Sequence, residues 1–166
     1  MVYMKFLHIL NEKLEEIILV IMMTAATVIV AAQVVTRYVF QVPLPWSEEI
    51  ARYLFIWLVW LGAAFATKER RHIIIDVVVS RLPDSLRKYC FLISTAVWIV
   101  FLAAMFYLAM KLTISVYTGG QIAAGSGIRM WIPYAAVPTG MFLMLFRLIQ
   151  NCVHDVKLMK GGQNPW

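Results

Sequence analysis

Charged residues are scarce in this sequence. They make up 14% of its 166 residues, whereas 62% are hydrophobic; soluble domains have about 25% charged residues. A soluble fold of this size would have to expose much of its apolar surface, so we expect a bilayer to be its solvent. The net charge of +6 does not indicate nucleic-acid binding, because the basic residues stand at the ends of apolar runs instead of forming one stripe.

Ligands for metals and haem are equally few. The two cysteines, Cys90 and Cys152, have no partner at metal-ligand spacing, so a zinc site or a structural disulfide has weak support, and we expect inert core thiols. All three histidines (His8, His72 and His154) flank apolar runs, whereas a haem anchor needs axial ligands facing each other inside the membrane. Ser-His-Asp, CxxC and phosphate-loop patterns are also missing. The sequence therefore predicts neither an enzyme nor a resident cofactor or metal.

Four long apolar runs organise the chain. A hydrocarbon core of about 30 Å takes about 20 helical residues to cross. Ile17–Thr36 and Cys90–Met110 hold 20 and 21 uncharged residues, but Tyr53–Thr67 and Met130–Phe146 hold only 15 and 17 and must extend into charged flanks. We predict an all-α integral membrane protein, a single membrane domain whose spans cover about 14–37, 47–67, 87–117 and 130–153.

The distribution of Lys and Arg predicts the orientation. With both termini in the cytoplasm, eleven of the 15 basic residues lie on that side, and four lie outside or near the outer helix ends: Arg37, Arg52, Lys111 and Arg129. An excess of Lys and Arg on the cytoplasmic side is the rule for membrane proteins. We therefore predict cytoplasmic termini.

Three segments between or before the spans have characters of their own. His72, Asp76 and Ser80 recur every four residues, which predicts an amphipathic helix at about 72–82 on the cytoplasmic interface. The runs of Ile and Val there leave an extended segment as the alternative. Met4–Glu16 is expected to form a second interfacial helix, and the glycine-rich stretch 118–129 an ordered loop.

The sharpest motif is Pro-Leu-Pro-Trp-Ser-Glu-Glu at 43–49, followed by Arg52. We expect Ser47 to be a helix N-cap that places Glu48 and Glu49 in the first turn, where the helix dipole favours acids. Either carboxylate is spaced to reach the Arg52 guanidinium. The motif is consistent with a capped helix start solvated by headgroups. It also fits a polar cluster that faces another protein, because charges in the membrane usually point inward or mark function.

The spans offer no polar pathway. No acid lies in the interior of any of them, whereas transporter sites tend to lie at mid-membrane. Bulky rings such as Trp57 face either lipid or a partner, and Gly62 allows another backbone to approach closely. We expect the polar residues of the first and third spans to bond between helices: Thr24, Thr27, Gln33, Ser94 and Thr95. The chain is therefore not expected to transport a solute alone.

The motif at 43–52, with Arg37-Tyr38-Val39-Phe40 before it and Trp57, Leu61-Gly62-Ala63 and His72 after it, resembles the small membrane subunit of TRAP transporters (tripartite ATP-independent periplasmic, DctQ-like). The last span, with Trp131-Ile132-Pro133 and Pro138-Thr139-Gly140, is similar to that family too. An anchor subunit of a redox enzyme complex remains the alternative.

The resemblance implies a sodium-coupled importer of an organic acid (a C4-dicarboxylate, sialic acid or another sugar acid) in the bacterial inner membrane. A large membrane subunit would hold the solute and the sodium, and a periplasmic binding protein would deliver the solute. Membrane lipids would be further partners. The residues implied in holding the small subunit on the large one or in the membrane are Trp46, Glu48, Glu49, Arg52, Trp57, Gly62, His72 and Asp76. Gln41 and Arg129 are candidates for docking the binding protein.

Overall fold

The computed structural model describes residues 2–42, 44–68 and 84–160. These ranges form four helices: α1 (Val2–Tyr38), α2 (Pro45–Lys68), α3 (Asp84–Thr118) and α4 (Trp131–Lys160). Each contains a stretch long and apolar enough to cross a membrane, namely Glu15–Tyr38, Pro45–Thr67, Ile93–Thr118 and Trp131–Val153. The prediction of an all-α membrane protein with four spans is confirmed.

Two predictions concern interfacial helices. The segment at 72–82, which contains His72 and Asp76, lies outside the described residues. Met4–Glu16 is helical, but it is continuous with the first span instead of forming a separate helix.

The helices pack in the order α1–α2–α4–α3, so α2 and α4 are the inner helices of an open row. Ala64, Leu102 and Met144 form a small buried cluster where α2, α3 and α4 meet. Only 6% of the most apolar stretch of α1 is buried, against 33% of that of α4. The outer faces of the row are therefore left to lipid or to another protein.

The helices α2 and α4 approach each other closely at Gly140. A Cβ atom at this position would lie 2.7 Å from the Cβ and 2.9 Å from the carbonyl oxygen of Trp60. Since no real Cβ makes such contacts, only glycine allows the two backbones to come this near. Small residues serve this purpose at membrane-helix interfaces because packing has to replace the hydrophobic driving force.

The last helix contains a proline whose effect on the backbone is compensated from α3. Pro138 has no N–H, so it cannot donate to the carbonyl of Tyr134 four residues earlier. The Thr113 hydroxyl lies 3.3 Å from that carbonyl and 2.8 Å from the carbonyl of Ala109 in its own helix. Thr113 therefore offers a donor to the carbonyl that Pro138 leaves free, and it joins α3 to α4.

The loop between α3 and α4 is ordered, as its glycine content predicted. Ile122 and Arg129 form an isolated antiparallel bridge across it. Gly120 and Gly127 have φ angles of 61° and 70°, in the left-handed region that glycine adopts without strain. This loop (residues 119–130, called the α3–α4 loop) and the described part of the α1–α2 loop (residues 39–42 and 44) lie at the same end of the row, called the loop end. The start of α1 and the end of α4 lie at the opposite end.

Candidate functional site at the loop end of the helices

The first turn of α2 carries the motif that the sequence singles out, but the helix starts earlier than predicted. It begins at Pro45, because a proline ring fixes φ at a helical value and needs no partner for an N–H at the first position. Ser47 is therefore the third helical residue. Its hydroxyl donates to the carbonyl of Leu44 at 2.7 Å, and the residue is 2% exposed. The prediction that Ser47 is the N-cap is wrong.

Glu48 connects α2 to α1. Its Oε1 accepts a hydrogen bond of 2.8 Å from Nε2 of Gln33 and lies 3.7 Å from Nη1 of Arg37. The side chains of Arg37 and Glu48 are more than half exposed, so this ion pair contributes little to stability. The hydrogen bond from the Gln33 side-chain amide is the more directional of the two contacts. Gln33 was expected to bond between helices, and this is confirmed.

Glu49, the adjacent residue, points to the α3–α4 loop instead. Its Oε1 accepts from the backbone N–H of Gly125 at 2.9 Å, and its Oε2 accepts from both the N–H and the hydroxyl of Ser126 at 2.7 Å. Hydrogen bonds to a carboxylate are shorter and stronger than neutral ones. A Cβ at Gly125 would lie 3.1 Å from Cδ of Glu49 and from the backbone of Pro45. The loop therefore lies tightly against the start of α2.

Arg52 does not pair with either acid. Within the described residues, neither Glu48 nor Glu49 has a carboxylate oxygen within 4.0 Å of the guanidinium. The expected pairing inside α2 is thus not formed, because both carboxylates turn to partners on other elements. Arg52 is exposed.

The exposed side of α2 is a single stripe. Arg52, Phe55, Val59 and Gly62 recur at helical spacing; Phe55 and Val59 are 40% and 60% exposed, and a Cβ at Gly62 would have no atom within 4 Å. We call this stripe the free face of α2. It lies on an inner helix of the row, and it contains two residues that the sequence marked as candidates.

The other candidates are dispersed. Trp46 and Arg129 are exposed at the loop end, and Trp57 is half-buried within α2. Gln41 is exposed in the α1–α2 loop, with a φ of 55° that is uncommon for a residue other than glycine. His72 and Asp76 cannot be placed, since they lie outside the described ranges.

Two contacts at the opposite end were not anticipated. Arg147 forms an ion pair of 2.8 Å with Glu15, and both side chains are at most one-third exposed. Asn151 donates to the carbonyl of Thr67 at 3.1 Å. The sequence does contain a signal for the ion pair, because Glu15 and Arg147 have opposite charges and stand at the same predicted end of the first and last spans. Polar contacts therefore fasten the described helices near both ends.

The polar residues of the span interiors do not line a path. Thr24, Thr27 and Thr139 donate to carbonyls four residues earlier in their own helices. The expectation that Thr24 and Thr27 bond between helices is therefore wrong. Among the described residues, no cluster of three or more His, Cys, Asp or Glu side chains could hold a metal ion.

Fold and site together define a multi-pass membrane protein whose described polar contacts mainly fasten its own helices. Residues 26–158 match the family "Tripartite ATP-independent periplasmic transporters, DctQ component". The match covers most of the chain, so the chain belongs to this family and is a small permease component of the bacterial inner membrane. Members of the family are not enzymes, which confirms that prediction and leaves the redox-anchor alternative without support.

Curated relatives carry different substrate names. The chain is 33% identical over 153 residues to the sialic acid TRAP transporter permease protein SiaT of Haemophilus influenzae (strain 86-028NP), covering 90% of this chain and 24% of that protein. It is 29% identical over 107 residues to the C4-dicarboxylate small permease protein DctQ of Rhodobacter capsulatus, covering 64% and 47%. Against the sialic acid small permease protein SiaQ of Vibrio cholerae (serotype O1, strain El Tor Inaba N16961) it is 29% identical over 158 residues, covering 95% and 90%. The matched region thus covers about a quarter of the length of SiaT, about half of that of DctQ and nine-tenths of that of SiaQ.

Proposed function

We propose that this chain is the non-transporting small subunit of a sodium-coupled TRAP importer of an organic acid. In this role it packs on the large membrane subunit, enlarges its fixed scaffold and helps the periplasmic binding protein to dock. The observation that carries the proposal is the free face of α2, which has an exposed arginine and open space at a glycine, on an inner helix.

The solute and the sodium are assigned to the large subunit. In the four described spans every acid lies near a span end: Glu15 and Glu16 begin the first, and Glu48 and Glu49 lie in the first turn of the second. A charged solute needs polar partners at mid-membrane. The relatives named for sialic acid and C4-dicarboxylates support a carboxylated solute.

We infer that the loop end faces the periplasm and that both termini are cytoplasmic. The bias of eleven basic residues against four supports this orientation. It places the α1–α2 and α3–α4 loops, with Gln41 and Arg129, on the side from which a periplasmic binding protein approaches.

The free face of α2 is the proposed contact with the large subunit. An exposed guanidinium beside Phe55 and Val59 has better partners in a protein than among acyl chains. At Gly62 the open space would let a second helix approach as closely as Gly140 lets α2 and α4 approach inside this chain. The 24% coverage of SiaT also fits this, since most of that single permease polypeptide lies beyond the matched part. The outer faces of α1 and α3 would contact lipid.

Co-purification with the large subunit tests this contact. Arg52→Ala and Gly62→Leu should each reduce the amount of large subunit recovered and lower uptake by whole cells. Lys111→Ala and Ala104→Leu are matched controls, because they make the same kinds of change at exposed positions of α3. Both controls should assemble normally. Undiminished assembly and uptake with both free-face variants would refute the contact.

The non-transporting role has its own test. The chain purified alone into liposomes should not move sialic acid or a C4-dicarboxylate down a sodium gradient, whereas the three components together should. Sodium-driven uptake by the isolated chain would overturn the proposal.

A further inference from the structure

We propose that Glu49 is a positioning residue, which holds the α3–α4 loop in the shape on which an acidic surface of the periplasmic binding protein docks. This inference rests on the proposed function, because it assumes that partner. It gives the motif at the start of α2 a second role besides joining the helices.

Few contacts besides those of Glu49 hold the loop against α2; the Tyr53 hydroxyl donates to Sδ of Met130 at 3.3 Å. Of residues 119–130 only Ala123 is buried, while Ile122, Gly125, Gly127 and Arg129 are exposed. Segments with few buried apolar contacts open easily unless polar contacts hold them. The three hydrogen bonds that Glu49 accepts from Gly125 and Ser126 are such contacts, and they join residues 76 and 77 positions apart in the chain.

Backbone hydrogen bonds within the loop connect Gly125 and Ser126 to its other residues. Ala123 donates to the carbonyl of Ile128 at 2.9 Å, and Gly127 donates to that of Ala123 at 3.0 Å. The bridge between Ile122 and Arg129 closes the same loop. Fixing Gly125 and Ser126 therefore fixes the backbone that presents Arg129.

The charge at the loop end identifies the kind of surface that would dock there. Two exposed basic side chains belong to this end and lie outside the proposed contact with the large subunit: Arg37 and Arg129. Glu48 lies 3.7 Å from Arg37, and Glu49 is turned to Gly125 and Ser126, so Arg129 is left without an acid within 4.0 Å among the described residues. The surface left for a partner is thus positive, and electrostatic complementarity selects an acidic patch on the docking protein.

A pair of adjacent substitutions separates positioning from charge. Glu49→Gln and Glu48→Gln each remove one negative charge from the same helical turn, but only the first removes the acceptor for the loop. By charge alone, both variants should bind an acidic partner as well as the wild type or more tightly. The positioning role predicts the opposite for Glu49→Gln, because an amide cannot accept from all three loop donors.

The measurement is uptake into proteoliposomes containing the complex of small and large subunits, as a function of the concentration of loaded binding protein. In Glu49→Gln the half-saturating concentration should rise about 3- to 10-fold at an unchanged maximal rate, as expected if the docking-competent loop falls to between a third and a tenth of the population. In Glu48→Gln it should stay the same or fall. Hydrogen exchange at the amides of Gly125 and Ser126 should accelerate only in Glu49→Gln.

Ser126→Ala keeps the experiment decisive if Glu49→Gln does not assemble. It removes one donor and no charge, so it should raise the half-saturating concentration in the same direction by a smaller factor. The inference is overturned if the loop amides exchange faster while the half-saturating concentration stays unchanged, or if both Gln variants behave alike. Failure of the wild-type chain to co-purify with the large subunit would refute the proposed function itself, and this inference with it.

Discussion

The contact between Gly140 and Trp60 gives a sharp prediction about stability. In Gly140→Ala the new methyl group would lie 2.7 Å from Cβ of Trp60, whereas ordinary contacts begin at 3.4 Å. The atoms it meets include the Trp60 backbone, so no side-chain rotation relieves the clash. The helices must separate locally by about 0.7 Å or more, and such overpacking costs about 1–3 kcal/mol.

Gly62→Ala is the matched control, since it makes the same change on the neighbouring helix in open space. Both variants gain the same preference of about 1 kcal/mol for alanine over glycine in a helix. The difference between them therefore isolates the packing cost. The assay is thermal unfolding of the isolated chain in detergent, followed by circular dichroism. Gly140→Ala should melt several degrees below Gly62→Ala, at about 2–4 °C per kcal/mol.

Equal melting temperatures for the two variants would refute the close packing of α2 on α4. A lower melting temperature for Gly62→Ala than for Gly140→Ala would show that the two faces of α2 have been assigned in reverse. The same purified variants can be mixed with the large subunit, which separates a loss of internal stability from a loss of the proposed contact.

Two further predictions concern polar contacts between helices. Thr113→Val should lower the free energy of unfolding in detergent by about 0.6–1 kcal/mol, because the Tyr134 carbonyl loses its donor from α3; an unchanged melting temperature would contradict this. Glu15→Gln and Arg147→Met should show a coupling energy of about 0.5–1 kcal/mol in a double-mutant cycle, since the pair is only partly screened by solvent. Additive effects of the two substitutions would argue against the pair.

The spans were predictable because hydropathy and length are local properties of a sequence. The ordered α3–α4 loop was predictable for the same reason, since its glycines mark left-handed backbone at Gly120 and Gly127. The start of α2 was mispredicted because two local signals compete there. Ser47 is a good cap, but Pro45 is already preorganised for the first helical position, and the proline decides.

Most contacts between different helices and loops could not be predicted from the sequence. Spacing alone paired Glu48 and Glu49 with Arg52, whereas the folded chain brings Gln33 to one acid and Ser126 to the other. Nothing local reveals which of several helices will lie beside α2, because all four are apolar on most sides. The role of Gly140 could not be predicted for the same reason, because a glycine is needed there only when Trp60 of α2 lies opposite it.

The order α1–α2–α4–α3 also bears on how the protein is made. A ribosome completes α2 well before it reaches Gly125, Ser126 and Gly140, and those are the groups that Glu49 and Trp60 contact in the finished molecule. Until the final helix enters the bilayer, α2 packs mainly on α1, and α3 lacks α4, the helix on which it chiefly packs. The helices can therefore complete their packing only after the last span has been inserted. In a nascent chain truncated before Trp131, the side of α2 that packs on α4 would face lipid instead.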